Sequence, residues 1–459
     1  MVDVDTIAAI STAPGIGAIA VVRVSGPGAL EIYHRLIPAR TDPPAPRFAD
    51  FVELRDPVDE SVIDRAVVTF FRSPASYTGE DLVEFSCHGG HLVPALVLEA
   101  CVSAGARRAE PGEFTRRAYL RGKLDLVQAE AVADLIEARS RVLHRAAIAQ
   151  LDRGLSVRIG SLRQEILQLE AMLAHHIDFP EEDDVPVPIE GIAERASDIT
   201  ASLDRLLRTA PEGELLREGA LTVLAGRPNA GKSALYNALL GRDQAIVTEE
   251  PGTTRDALEA VVQLGGFPFR LVDTAGLRVA EGRVEQLGIE VARRYLASAD
   301  MVLLCVPRAE GLGEMELEFL RGVEAPVVVV WTKGDLVNDS DAARALVAEG
   351  PDGVAAEVVL SSITGDGLDR LQDLLPGLVY SELLAAAEAP VITRRRQSRA
   401  IRLASEELSA FSAGLLAGLP PEVASAHLRP AETALEEILG VISVEDILDV
   451  VFREFCVGK

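Results

Sequence analysis

Gly226-Arg227-Pro228-Asn229-Ala230-Gly231-Lys232-Ser233 spells G-x-x-x-x-G-K-S, a run whose residue types suit phosphate binding. Its glycines let backbone N–H groups turn towards phosphate oxygens, and a helix start adds its dipole. Lys232 is placed to reach the β- and γ-phosphates, and Ser233 to ligate Mg²⁺. Pro251-Gly252-Thr253-Thr254-Arg255-Asp256 stands where a nucleotide switch keeps its first mobile loop, with Thr254 as second Mg²⁺ ligand. Asp273-Thr274-Ala275-Gly276 would bring a carboxylate near the metal and the Gly276 N–H near the γ-phosphate. Thr332-Lys333-Gly334-Asp335 resembles the guanine-reading N-K-x-D, with Thr where Asn is usual. Asp335 can accept from guanine N1–H and N2–H, and Lys333 can stack under the base, which favours GTP over ATP. The missing Asn predicts some loss of base affinity. Ser361-Ser362-Ile363-Thr364-Gly365 matches the last guanine-contacting loop.

The hydrolytic machinery departs from small signalling GTPases. The position after D-T-A-G that would carry a water-orienting Gln is Leu277. Another group must orient water and offset transition-state charge. Glu285 is the candidate carboxylate for water. For the charge, Asn229 has an amide oxygen that can ligate a monovalent cation beside the β/γ bridge, where potassium would do the work of an arginine finger. On local grounds Asn229 also reads as a plain turn residue. Arg278 is a weaker candidate, for ordering the switch.

These motifs need strands that end beside one another. Buried-type strands at Leu221–Ala225, Arg270–Val272, Met301–Val306, Val327–Trp331 and Glu357–Leu360 alternate with helical stretches, which predicts an α/β domain on a parallel sheet over residues 219–380. Residues 1–121 mix short β-branched runs (Ala18–Val24, Arg65–Phe71, Leu82–Ser86) with turns and one helix near Val93–Ala104, an α+β texture. Residues 122–215 and 382–459 are helical. Leu155, Ile159, Leu162, Ile166, Leu169 and Leu173 form a heptad-like seam that is either bundle core or partly a dimer face. The expected architecture is therefore multidomain: an α+β N-terminal domain, a discontinuous all-α domain, and an inserted Ras-like P-loop G domain.

The chain has 459 residues and a formal charge of −26, so a nucleic-acid role needs a local basic patch or a basic partner. Arg394-Arg395-Arg396 with Arg399 and Arg402 is such a cluster; it reads either as a solvated helix start or as a nucleic-acid or partner contact. Met1 to Ile10 carries Asp3 and Asp5 and no basic residue, which argues against a secretory or mitochondrial leader. Cys87, Cys101, Cys305 and Cys456 form no C-x-x-C, which fits a reducing cytoplasm. No apolar run approaches the ~20 residues of a spanning helix. His175 and His176 are adjacent and read as structural, and the acidic run Glu181–Asp184 as solvated. Cys87-His88-Gly89-Gly90-His91 reads as a tight turn, not a metal site. Only four residues are lysines, Lys123, Lys232, Lys333 and Lys459, against 41 arginines, and each hints at a need for a compact ammonium.

Together these motifs resemble the MnmE (TrmE) family of tRNA modification GTPases. Leu277, the G-R-P-N-A-G-K-S loop, I-D-F-P-E-E at Ile177–Glu182, K-L-D-L-x-Q-A-E-A at Lys123–Ala131, and the terminal Cys456-Val457-Gly458-Lys459 carry the likeness over the whole chain. The resemblance implies a homodimer that works with an FAD-dependent MnmG partner. It would build a carboxymethylaminomethyl group at C5 of the tRNA wobble uridine from a tetrahydrofolate one-carbon unit, carried as a 5-formyl or 5,10-methylene derivative. It places nucleotide contacts along Asn229-Ala230-Gly231-Lys232-Ser233-Ala234, Thr248-Glu249-Glu250-Pro251-Gly252-Thr253-Thr254, Asp273-Thr274-Ala275-Gly276, Thr332-Lys333-Gly334-Asp335 and Ser361-Ser362. It places K⁺ on Asn229, Thr248, Glu250 and Thr253, Mg²⁺ on Ser233 and Thr254, and catalysis on Glu285, Lys232 and Asn229. Folate contacts fall on Arg23, Glu80, Lys123 and Lys459. Glu80 suits the pterin donor edge, and the cations suit carboxylate or formyl oxygens. The role of Cys456 stays open, and Val457 replaces the usual Ile of the tail. Two other readings compete: a ribosome-assembly GTPase acting as an rRNA-binding switch, and a one-carbon sensor that regulates a scaffold.

Overall fold

The computed structural model describes residues 5–178, 187–242, 259–273, 293–337, 353–385, 390–441, 445–453 and 455–459. It divides into two compact units. One joins Met1–Ala133, Gln150–Arg163 and Leu435–Lys459; the other joins Asp134–Ala149 and Gln164–Ala434.

The first unit is built on a six-stranded sheet of order β3-β4-β5-β2-β1-β6. The strands are β1 (Ile7–Ile10), β2 (Ile19–Ser25), β3 (Ala49–Arg55), β4 (Val62–Phe71), β5 (Leu82–His88) and β6 (Arg107–Arg108). All neighbours are antiparallel except β1 and β6, which are parallel. Sequence reading missed β1, β3 and β6, which are short or polar. Strand alternation sorts the sheet's faces. Val22, Val24, Phe85 and Phe70 join the buried cluster that includes Tyr33 and Leu36 of α1 (Ala29–Leu36) and Val97 and Cys101 of α2 (Val93–Ser103). Arg23, Ser25 and Glu84 therefore project from the other face. There Ile7, Ala9 and Phe114 of α3 (Glu113–Leu120) make a smaller core. α4 (Leu126–Glu137) packs Leu126, Ala129 and Ala133 with Leu448, Val451 and Phe452 of the C-terminal helix Glu445–Arg453.

In the second unit, α5 is Arg141–Leu151, α7 Ile189–Arg208 and α8 Ala210–Glu218, and the long α6 (Gly154–Asp178) belongs partly to each unit. The six seam residues of α6 are at most 1% exposed, so the heptad-like stripe is buried within this chain. α7 buries Ile192, Ala196, Ile199, Leu203 and Leu206, a one-sided helical stripe.

The second sheet has the order β12-β11-β10-β7-β9-β8. Its strands are β7 (Ala220–Ala225), β8 (Glu259–Leu264), β9 (Phe267–Asp273), β10 (Met301–Pro307), β11 (Val327–Thr332) and β12 (Val354–Val359). The five strands read from sequence are all present and mutually parallel. β7, β10 and β11 are buried along their whole length, as strands covered on both faces must be. The expectation of a purely parallel sheet needs one correction: β8 is added antiparallel at the β9 edge. Its alternating, half-exposed residues make a weaker signal than the continuous apolar runs. Helices α9 (Lys232–Arg242), α10 (Glu314–Gly322), α11 (Leu368–Val379), α12 (Ser381–Ala385) and α13 (Arg395–Leu416) complete the elements used below. Among the described residues no helix is long and apolar enough to cross a membrane.

Candidate functional site

Because β7, β9, β10, β11 and β12 run parallel, their C-terminal ends share one edge, where open α/β sheets hold ligands. The phosphate loop leaves β7, Asp273 ends β9, Thr332-Lys333-Gly334-Asp335 leaves β11, and Ser361-Ser362 follows β12. Topology thus converges four segments that are far apart in sequence.

The loop itself is held tightly. Gly226 has φ +137°, and a Cβ there would lie 2.4 Å from the Cys305 carbonyl oxygen, so only glycine fits. Asn229 is exposed with φ +63°, a conformation Asn tolerates better than most residues. Lys232 opens α9 and is 6% exposed. Its Nζ donates to the carbonyls of Gly226 (2.8 Å) and Arg227 (2.7 Å), across the mouth of the loop. Ser233 Oγ donates to Asp273 Oδ2 at 2.6 Å, which brings together the two oxygens expected at the Mg²⁺ position. Arg227 is ion-paired with the buried Glu316 of α10, which also accepts from the Gly313 N–H. Sequence reading had no signal for that tie.

Thr332 is 2% exposed, and its hydroxyl donates to the Ala230 carbonyl at 2.7 Å. The residue replacing Asn therefore stitches β11 to the phosphate loop. The next residue, Lys333, has φ +56°, which turns the chain into the one-turn 3₁₀ helix Gly334–Leu336 and leaves Asp335 exposed. The Gly334 N–H donates to the Leu360 carbonyl at 3.0 Å, tying the base-reading turn to the segment that leads into Ser361. Ser361 is buried and accepts from the N–H groups of Ile363 and Thr364, so it shapes its loop, while Ser362 is half-buried. Ala230 is buried in the loop, and Ala234 is exposed in the first turn of α9. Thr248, Glu249, Glu250, Pro251, Gly252, Thr253, Thr254, Thr274, Ala275, Gly276, Leu277, Arg278, Glu285 and the acidic run 181–184 lie outside the described residues.

A second polar site occupies the uncovered face of the N-terminal sheet. Arg23 pairs with Glu84, its cross-strand neighbour, at 2.7 Å, and its guanidinium lies 5.6 Å from the Tyr77 ring centroid and 5.7 Å from that of Phe114. The C-terminal tail reaches the same place. Val457 bridges to Pro111, the Phe114 N–H donates to the Lys459 carbonyl (3.2 Å), and Ser11 Oγ donates to the Gly458 carbonyl (3.0 Å). A Cβ on Gly458 would lie 2.5 Å from the Ile10 carbonyl oxygen, which explains the glycine of C-V-G-K. Burial first, and then the charge of Arg23, hold the Lys459 ammonium below the usual lysine range, so the two cations share one environment.

Glu80 is 5% exposed and already engaged: it accepts from Ser25 Oγ (2.8 Å), Arg121 (2.7 Å) and Arg117 (3.3 Å). Lys123 is exposed and donates to the Pro74 carbonyl at 3.0 Å. Ser25, Tyr77, Glu84, Phe114, Arg117 and Arg121 were missed by sequence reading; the alternation Arg23-Val24-Ser25 was the available clue. Cys456 is exposed. His88 pairs with Asp64 at 2.7 Å, burial raises the Cys87 thiol to about 11, and no His/Cys/Asp/Glu group among the described residues could hold a metal. His176 bonds the Val187 carbonyl at 2.7 Å, a structural role as expected.

Comparison with known proteins adds the following. The family described as MnmE helical domain matches residues 126–456, and that described as GTP-binding protein TrmE N-terminus matches residues 6–123. A protein of Heliobacterium modesticaldum named tRNA modification GTPase MnmE is 41% identical over 468 residues, covering 99% of each chain. One of the same name from Moorella thermoacetica is 40% identical over 462 residues, again covering 99% of each. Among solved structures, the G domain of the T. maritima FeoB iron transporter aligns at 27% identity with 35% of this chain and 96% of its own, with a TM-score of 0.24.

Proposed function

Because this chain belongs to the MnmE family of tRNA modification GTPases, we propose that it is the potassium-activated member of a two-protein system for wobble uridine. With an FAD-dependent MnmG-type partner it would install a carboxymethylaminomethyl group at C5, drawing the carbon from a tetrahydrofolate derivative. The observation that carries this reading is the nucleotide edge: a phosphate loop, the Ser233–Asp273 pair and the Thr332–Asp335 turn at strand ends along one edge of the sheet.

The residues fit the groups this function needs. Ser233 Oγ and Asp273 Oδ2 are hard oxygens of the kind Mg²⁺ selects, so Ser233 with Thr254 would hold the ion. Mg²⁺ there would offset charge gathering on the β- and γ-oxygens. Lys232 would exchange two carbonyl contacts for phosphate oxygens, a stronger charge-assisted bond. Asn229, exposed at the turn of the loop, would hold K⁺ with Thr248, the Glu250 backbone and Thr253. Glu285 would orient the attacking water. Hydrolysis would open and close paired G domains of a homodimer rather than supply bond energy to the tRNA chemistry. At the N-terminal sheet, Arg23 and Lys459 would meet the anionic oxygens of the folate, Lys123 would extend that cationic rim, and Glu80 would accept from the pterin edge. We place the protein in the cytoplasm, with tRNA reached through the complex.

The test is nucleoside mass spectrometry of total tRNA from cells lacking the chain. The expected result is loss of C5-aminomethyl-type wobble uridines, restored by the wild type but not by Lys232→Ala. An unchanged profile would overturn the modification role. Purified protein should also turn over GTP faster in KCl than in NaCl at equal ionic strength; equal rates would remove Asn229 as a cation ligand.

A further inference from the structure

α7 and α13 lie antiparallel in the second unit. Ser197 Oγ meets Ser412 Oγ at 3.1 Å, and Ser405 Oγ donates to Asp204 Oδ1 at 2.7 Å. That register sets Arg208, one turn beyond Asp204, level with Arg402, three residues before Ser405. Positions three and four apart share a helix face, so both arginines lie along the α7–α13 seam, and both are exposed. Neither makes a hydrogen bond or ion pair among the described residues. Arg205 and Arg399 stand exposed one turn to either side; Arg205 meets only the Ser202 hydroxyl (2.8 Å), and Arg399 meets nothing among the described residues.

The rest of the arginine cluster is accounted for within the fold. Arg394 is 7% exposed and pairs with the buried Asp134, and Arg395 pairs with Glu214 at 3.0 Å. Two acids lie near: Asp204, one turn before Arg208, accepts from Ser405, and Glu406 lies one turn past Arg402, and neither forms an ion pair among the described residues. Like charges gathered over a helix seam disfavour folding, and arginines in the first turn of α13 oppose its dipole. Such a concentration of free guanidinium groups, in a chain of net charge −26, suits an anionic partner met locally.

The geometry points to the Arg205–Arg208/Arg399–Arg402 face of α7 and α13 as a docking surface for the phosphate backbone of RNA. This rests on the tRNA reading above and names the surface that would make the contact. Guanidinium forks suit phosphate oxygens bidentately. An acidic protein partner is disfavoured, because protein interfaces concentrate their energy on aromatic and apolar anchors. Neither helix exposes an aromatic residue, and Leu403 is the large apolar side chain exposed on this stretch, at 44%.

The experiment measures binding of the full-length protein, in complex with its MnmG-type partner, to an unmodified tRNA transcript with a wobble uridine, by filter binding across a series of KCl concentrations. Arg208→Gln/Arg402→Gln should weaken binding about tenfold near 0.1 M salt and lower the log–log salt slope by roughly 1.4–1.8, the loss of two phosphate contacts. A charge-matched double change elsewhere, Arg35→Gln/Arg321→Gln, should leave affinity and slope near wild type. Unaltered binding by the first variant would overturn the proposal, as would an equal loss in the control or no tRNA binding by the wild type. Wild-type affinity for tRNA combined with lost wobble-uridine modification in cells would reassign the face to a protein contact. If affinity falls as expected while cells lacking the chain keep their modified uridines, the surface stands and the modification reading fails.

Discussion

The phosphate loop and the N-terminal sheet handle charge in opposite ways. At the loop, Lys232 is held by two backbone carbonyls, and Asp273 meets the hydroxyl of Ser233. On the sheet, Asp5, Glu80, Glu84 and Glu113 interlock with Arg23, Arg107, Arg117 and Arg121. The first arrangement includes contacts from backbone carbonyls and a hydroxyl, groups that a phosphate or a metal can replace. The second spends its charges on one another, so a ligand there must either share saturated groups such as Glu80 or use the under-compensated pair of Arg23 and Lys459. One site is built to exchange partners; the other is built to hold a shape.

Breaking the network at its centre should give the largest effect. The Arg117 side chain is 3% exposed and bonds Asp5 (2.6 Å), Glu113 (2.9 Å) and Glu80 (3.3 Å). Arg117→Met removes the cation and leaves two buried carboxylates under-compensated, a loss of about 3–5 kcal/mol. Hydrogen exchange of the β1 and β2 amides in the full-length protein should report that loss, while GTP turnover well below the unfolding temperature stays within about twofold, since nothing at the loop has been touched. Exchange shifted by under ~1 kcal/mol would mean that the network does not hold the sheet.

The reciprocal change should be smaller. Thr332→Val keeps the side-chain shape but removes the hydroxyl that satisfies Ala230, leaving a buried carbonyl without that donor at a cost of about 1–2 kcal/mol. Expressed at the nucleotide site, this is roughly 5- to 30-fold weaker GTP binding by isothermal titration. The N-terminal amides should exchange at the wild-type rate. Unchanged GTP affinity would mean that the tie between β11 and the loop is incidental.

The two sites also differ in how far they could be read beforehand. The nucleotide edge was legible because its motifs are contiguous and the phosphate loop, Asp273 and the Thr332–Asp335 turn each follow an apolar run that reads as a strand. Parallel topology then does the assembling. What the motifs did not reveal was the partner of each side chain: Thr332 reads as a deficient base contact until its hydroxyl is seen on Ala230, and Arg227–Glu316 joins residues with no local pattern. The N-terminal site is the reverse. Its groups run from Asp5 to Lys459, and no spacing rule connects a β-strand arginine with a chain terminus. Resemblance supplied Arg23, Glu80, Lys123 and Lys459; the buried network that fixes Glu80 came only with the fold. The arginine cluster near residue 394 divided the same way, since composition cannot tell Arg394, which serves Asp134, from Arg402, which serves nothing within the described fold.

Acid should separate the two units in the last and mildest test. Burial, the largest influence on Glu113, pushes its carboxyl up, but bonds from Arg107, the Glu110 N–H and Arg117 outweigh it and leave the pKa below the ordinary value of 4.5. Asp5 is held below 3.8, chiefly by its bond from Arg107. For both groups the unfolded chain takes up protons first. Their stabilisation is therefore complete above the ordinary values and is lost as pH falls through those values towards the folded ones. In the second unit the sign is reversed at Asp300, which caps the Leu221 N–H at 2.7 Å, and at Glu170. Burial raises both, so acidification removes a cost from the folded form there. Lowering pH from about 7 into the carboxylate range should thus reduce the opening free energy of β1 and β2 amides, read from exchange after correction for the intrinsic slowing of exchange in acid, more than that of β7 and β10 amides. Glu113→Gln should flatten the first dependence and leave the second alone, because it deletes one of the protons taken up on unfolding. Equal acid sensitivity of the two sheets, or a wild-type slope in Glu113→Gln, would show that the arginine network does not set the acid response of the N-terminal sheet.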